Sequence, residues 1–246
     1  MKMLTRSALF FLSICLPLSL LAQEGAFKEA STSSQAYHKY RLKNTVPPYG
    51  LVKVKALVAA IKPSGDDYSA PLNQKAYLEL SLREKFTYHM LHAESSSQNC
   101  DVMPPILDED QKIFAQLPDA FDEYSWSERQ RNFLNSKRDS VLALIKESVT
   151  RSKRVGLNYK TAIVEVNGRE LIPFLIQVYK QDHKDYDILT VLMLLMKKNE
   201  YGPFMNSASF VKLYGLKSDY QSFINFNAAN EALILSRASA FYAGGH

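Results

Sequence analysis

Along most of the chain the apolar positions recur at helical rather than strand spacing. Leu51, Val54, Leu57, Val58 and Ile61 share one face of residues 51–62, with Lys53, Lys55 and Lys62 off it. The first four of these residues also alternate as a short strand would. A Pro-Ser-Gly-Asp-Asp loop ends the segment at 63–67. Asn73 suits the N-cap of a helix over 74–91 that turns Tyr77, Leu78, Leu82, Phe86 and His89 or Met90 inward. Residues 94–105 read as a loop, and a short helix is expected over 108–117, stopped by Pro118. From Trp126 onward the helices come in pairs. Ser125 and Glu128 fit a capping box before residues 128–135, and 138–152 follow as the partner. Residues 159–166 and 169–179 form a second pair, Asp185 opens a third, and 219–226 and 230–242 close the chain as a helical cap.

These pairs repeat. A shift of thirty residues places Val141, Leu142, Leu144 and Ile145 on Leu171, Ile172, Phe174 and Leu175. The next shift places Glu170, Pro173 and Phe174 on Glu200, Pro203 and Phe204. In the first helices Phe133 and Leu134 fall on Ile163 and Val164, then on Met193 and Leu194. The units are 127–156, 157–186 and 187–216. The short Ala-containing helix around Ala162, the tight turn Asn167-Gly168 and the opening Ile172-Pro173-x-Leu175-Ile176 resemble a HEAT-like helical repeat. That resemblance implies antiparallel helix pairs stacked into a solenoid, with Asp185 or Asp187 as the turn acid. A local alternative is a β-hairpin near 163–171, because residues 164–166 alternate just before Asn-Gly. The thirty-residue register favours helix–turn–helix, with Gly168 just past the helix end.

The fold class expected is therefore mainly α, a single helical domain over 45–246. Ahead of it, Lys2 and Arg6 precede an apolar run over 8–21 that ends at Ala22, the layout of a secretory signal peptide (residues 1–22). Residues 23–44 are polar and aperiodic, and read as a flexible leader. Losing 1–22 removes two of the 30 basic residues and none of the 25 acidic ones, so the net charge falls from +5 to +3. So small a charge gives no reason to expect nucleic acid. The longest later apolar run, 188–196, is too short to span a bilayer. One cysteine, Cys100, remains after the leader, so a core rather than a disulfide must hold the fold.

Candidate chemistry is sparse. His89 and His92 lie three apart with Glu94 close behind, the basis of an alternative reading as a metal-dependent hydrolase. The metalloprotease spacing of two histidines around a glutamate is absent, and one packed and one exposed imidazole at a helix end is the preferred explanation of the pair. Nothing marks Cys100 or Ser95-Ser96-Ser97 as a nucleophile, and Asp108-Glu109-Asp110 lacks the alternation of a calcium loop. Arg151, Lys153 and Arg154 form a basic end to one helix, with Trp126 as a candidate interface aromatic. No catalytic residue and no cofactor is assigned. The leading expectation is an exported, non-catalytic binding or scaffolding protein of the periplasm or cell envelope. Its partner would be another envelope or secreted protein.

Overall fold

The structure, a computed structural model, describes residues 28–62, 70–96 and 106–244. The expected signal peptide, the 63–67 loop and Cys100 lie outside the described residues. In chain order the helices are α1 (Thr32–Arg41), α2 (Leu51–Ala59), α3 (Gln74–Leu78), α4 (Leu82–Leu91), α5 (Glu128–Ser136) and α6 (Arg138–Ser152). They continue as α7 (Leu157–Glu165), α8 (Ile172–Gln181), α9 (Tyr186–Lys198), α10 (Gly202–Met205), α11 (Ala208–Tyr214) and α12 (Ala228–Ala243). Among the described residues, β1 (Ser95–Ser96) pairs antiparallel with β3 (Tyr124–Ser125), and β2 (Lys112–Phe114) with β4 (Phe223–Asn225). The fold is mainly α, as the periodicity predicts. No described helix is long and apolar enough to cross a membrane.

In the region expected to be paired, α5 packs on α6, α8 on α9, and α9 on the short helix α10, which packs in turn on α11. The first helices stack, α5 on α7 and α7 on α9. The C-terminal ends of α7 and α9 are tied alike. Asn167, just past α7, takes a left-handed φ of 51°, and the Gly168 amide donates to Ile163 O at 2.8 Å. Past α9, Glu200 has the same φ and the Tyr201 amide donates to Met196 O at 2.9 Å. Both are Schellman closures, in which a left-handed residue turns the chain back onto orphan carbonyls. The side-chain amides of Asn167 and Asn199 exchange hydrogen bonds at 2.7 and 3.0 Å, and Lys198 donates to the last carbonyls of α7.

The turn at 167–168 corrects two details. There is no hairpin near 163–171: residues 163–165 are helical, and a 3-10 turn (Arg169–Leu171) leads into α8. The left-handed residue is Asn167 and not Gly168. Gly168 packs closely, and a Cβ there would lie 2.7 Å from Leu142 Cδ2 and push that side chain aside.

Other expectations shift because of caps and distant partners. The helix expected over 74–91 is broken, because Ser81 and Glu84 form a capping box that starts α4 afresh. Asn73 does cap α3. The break turns Leu80 into the core and leaves Leu78 and Leu82, expected inside, exposed. The capping box before α5 is Ser127 with Gln130 rather than Ser125 with Glu128. In place of a helix over 108–117 stand a 3-10 turn (Glu109–Gln111) and β2, and in place of one over 219–226 stands β4. Each strand exists because the other pairs with it across the chain, a relation no local window reveals.

The leader expected over 23–44 gives way, from Thr32 on, to α1. Ser34, Tyr37 and Arg41 on its inner face are buried against the 109–111 turn and α9. Residues 43–45 then cross the start of α7. The Leu157 amide donates to Lys43 O, the Thr45 amide donates to Asn158 Oδ1, and the Gly156 amide donates to Thr45 Oγ1 at 2.8 Å. A Cβ on Gly156 would sit 2.1 Å from the Thr45 amide nitrogen, so only glycine permits this crossing. The main core centres on α9, which buries Ile188, Leu189, Val191, Leu192, Met193, Leu195 and Met196 under α7, α8, α12 and β2. A smaller cluster of Val54, Leu72, Tyr77, Leu80 and Tyr88 lies among α2, α3 and α4.

Candidate functional site

The three residues of the metal reading all lie at the junction of α4 with α5, and each is engaged elsewhere. His89 is fully buried; its Nε2 lies 3.2 Å from Tyr77 Oη, and its ring packs 4.7 Å from that of Phe133. Burial, with the nearby Arg129 guanidinium, depresses its pKa to about 3, so the imidazole is neutral. His92 donates through Nε2 to Ala70 O at 2.8 Å. Glu94 accepts from Tyr88 Oη at 2.7 Å, from Ser127 Oγ at 2.5 Å and from the Arg129 guanidinium. Burial alone would raise its pKa, but these donors outweigh it and hold the carboxyl below its usual range. Among the described residues no three His, Cys, Asp or Glu side chains converge as a metal site requires. Trp126 belongs to the same junction: it is buried, donates from Nε1 to His89 O at 2.7 Å and meets the Phe121 ring edge-on. It is core and not an interface edge.

A second polar network, unmarked in the sequence reading, lies where α1 meets α7, α9 and the 109–111 turn. Arg41 donates to both oxygens of Asp187, at 2.9 and 3.1 Å, and to Glu109 Oε1 at 2.5 Å. Lys160, with no exposed surface, pairs with Asp185 and lies 3.9 Å from Asp187. Burial disfavours the Arg41 charge, yet Asp187 and Glu109 more than compensate and raise its pKa. Burial pushes the Asp185 carboxyl up, against the pull of Lys160. Two buried cations thus face three buried carboxylates. The half-exposed His38, its Nδ1 2.9 Å from Glu109 Oε2, stands at the solvent end, its pKa raised by that bond. A signal for this network was present: Ser34, Tyr37, His38 and Arg41 share a helix face at spacing 0, 3, 4 and 7. Every group in the network is occupied, so it is a structural clamp with no open position for a ligand.

The basic residues at the end of α6 divide. Arg154 is held inward, its guanidinium 4.0 Å over the Tyr40 ring and donating to Tyr40 O at 2.5 Å. It anchors α1 and is not part of an open face. Arg151 and Lys153 are exposed, and Lys153 takes a left-handed φ of 58° just past the helix. Lys153 also borders a recess of about 250 Å³ between α6 and α8, the second helices of two successive pairs. Buried Val149 and Val178 form its floor, Lys146 stands 5.7 Å over the Phe174 ring, and exposed Thr150, Gln177 and Gln181 complete the rim. No carboxylate lines it. An apolar floor inside a cationic and amide rim can receive an extended acidic segment, but offers no nucleophile or acid–base pair. No protein-family model matches the chain, and no curated protein or solved structure is significantly similar to it.

Proposed function

We propose that this chain is an exported, non-catalytic binding protein whose HEAT-like helical pairs present the α6–α8 recess to an acidic segment of another envelope or secreted protein. The observation that carries this reading is the recess itself: an apolar floor, Lys146 and Lys153 at its edge, and no acid in its lining. Stacking of α5, α7 and α9, with matching closures after α7 and α9, supports the repeat reading. In stacked pairs, grooves between successive second helices are a common binding surface. The signal-like N-terminus supports export.

The test is site-specific photo-crosslinking in cells. A crosslinker at Gln177 should give a discrete adduct with an envelope or secreted protein, and Lys146→Glu with Lys153→Glu should abolish it. Survival of the adduct after that charge reversal would sink the proposal. So would an adduct formed only from Ser239, on the separate helix α12.

A further inference from the structure

A different basic recess lies on the α11–β4 side of the molecule. It has a volume of about 310 Å³, and its lining includes Lys112, Lys212, Lys217, Asp219, Ser222 and Phe223. The β2–β4 pairing brings the first and last of these elements together: Phe114 stands opposite Phe223, and Lys112 opposite Asn225. The Lys112 ammonium donates to Leu107 O at 2.5 Å and sits 4.2 Å from the Phe223 ring centroid. Lys212, from α11, places its own ammonium 5.6 Å from the same centroid. Two like charges therefore share one aromatic ring, and Lys217 adds a third at the edge. None of the three lysines is in a salt bridge among the described residues. The one lining acid, Asp219, uses Oδ1 to accept from the Gln221 amide at 2.9 Å and from Ser222 Oγ at 3.2 Å. Three ammonium groups held against one carboxylate repel one another until an anion enters between them.

The surroundings of these lysines are apolar and exposed. Val211 precedes Lys212 and is 65% exposed, and Leu216 precedes Lys217 and is fully exposed. Tyr220, beside the lining residue Gln221, is 55% exposed. Large apolar side chains alternating with lysines around an anion site suit a surface with negative headgroups over a hydrocarbon layer. A phosphate free in water has no use for them.

We infer that the Lys112/Lys212/Lys217 recess binds the phosphate of an anionic phospholipid headgroup, with Leu216 and Val211 entering the acyl boundary. This site is separate from the α6–α8 recess. The test is co-sedimentation of the full mature chain with phosphatidylglycerol-containing vesicles and with vesicles of phosphatidylcholine alone. Binding is expected to the first only. Lys212→Gln with Lys217→Gln, both at exposed positions, should weaken it by about tenfold or more, and Leu216→Ser should weaken it while keeping its salt dependence. Lys55→Gln with Lys62→Gln, both exposed on the distant α2 side, should leave it unchanged. An equal loss in that control pair would reduce the effect to general basic attraction and overturn the assignment. Saturable binding of inorganic phosphate without vesicle binding would overturn the lipid assignment in favour of a soluble ligand. Binding to neither would remove the site.

Discussion

Two buried polar networks hold the N-terminal part of this molecule to the helical pairs, and they are built on opposite principles. At the Glu94 junction one carboxylate is surrounded by neutral donors, Tyr88 and Ser127, and by one guanidinium, Arg129, that keeps a quarter of its side chain in solvent. At the Arg41 clamp every partner is charged, and both members of each main pair are almost wholly out of water. A partly exposed partner can be rehydrated when its mate is lost. A fully buried one cannot, so its charge is left uncompensated. The clamp is therefore sensitive to mutation at any member. The junction, with a neutral histidine sealed beside it, is sensitive to acid.

The largest expected effect comes from Lys160→Met, which strands Asp185 beside Asp187. It should cost about 3–5 kcal/mol, a fall in melting temperature of roughly 10 °C, and Lys160→Met with Asp185→Asn should recover a large part of it. If thermal denaturation gives the single variant a shift below a few degrees, the clamp is not the closed charge network described. Next comes acid. His89 has a folded pKa near 3 against an unfolded value of 6.5, so the unfolded chain binds the extra proton between those limits. Its contribution to stability is complete above 6.5 and is lost as pH falls, by about 2 kcal/mol at pH 5. Urea midpoints at pH 5 and 8 should show that slope in the native chain, and His89→Leu should flatten it.

Glu94→Gln should be milder, about 1–2 kcal/mol, because the amide oxygen still accepts from one of the two hydroxyls, its NH2 can donate to the other, and Arg129 reaches solvent. A loss matching that of Lys160→Met, measured in the same denaturation series, would erase the contrast between the two networks. The smallest effect is expected at His38. Its pKa is raised by Glu109, so its contribution is fully present below the unfolded value of 6.5 and fades as pH rises through the raised one. Hydrogen-exchange protection in α1, corrected for base-catalysed intrinsic exchange, should fall above that pKa, and His38→Asn should make the corrected protection independent of pH over the same range.

The candidate sites were legible in the sequence only in part. Arg151 and Lys153 were recognisable as exposed because they close a helix whose apolar face is well marked. Arg154, three residues beyond Arg151, could not be separated from them, since its partner Tyr40 is supplied by a segment that looked like a leader. Trp126 and His89 carry groups that can face solvent or core; the indole is held inside by its bond to the His89 backbone carbonyl at 2.7 Å, and the imidazole by Tyr77 and Phe133. Lys160 lies as a single charge within the run Tyr-Lys-Thr-Ala-Ile-Val, and nothing local marks its burial. The Lys112/Lys212/Lys217 recess was invisible, because the β2–β4 pairing that assembles it joins segments each of which had read as helix.

By itself the sequence determined the helical class and the buried status of α9, because apolar spacing states which face of a segment must leave water. The tertiary structure alone decided what covers each face. It also decided which charges are clamped and which stay open, because those depend on partners separated by as much as the 146 residues between Arg41 and Asp187. Periodicity encodes the need for a partner, and only the packed chain supplies one.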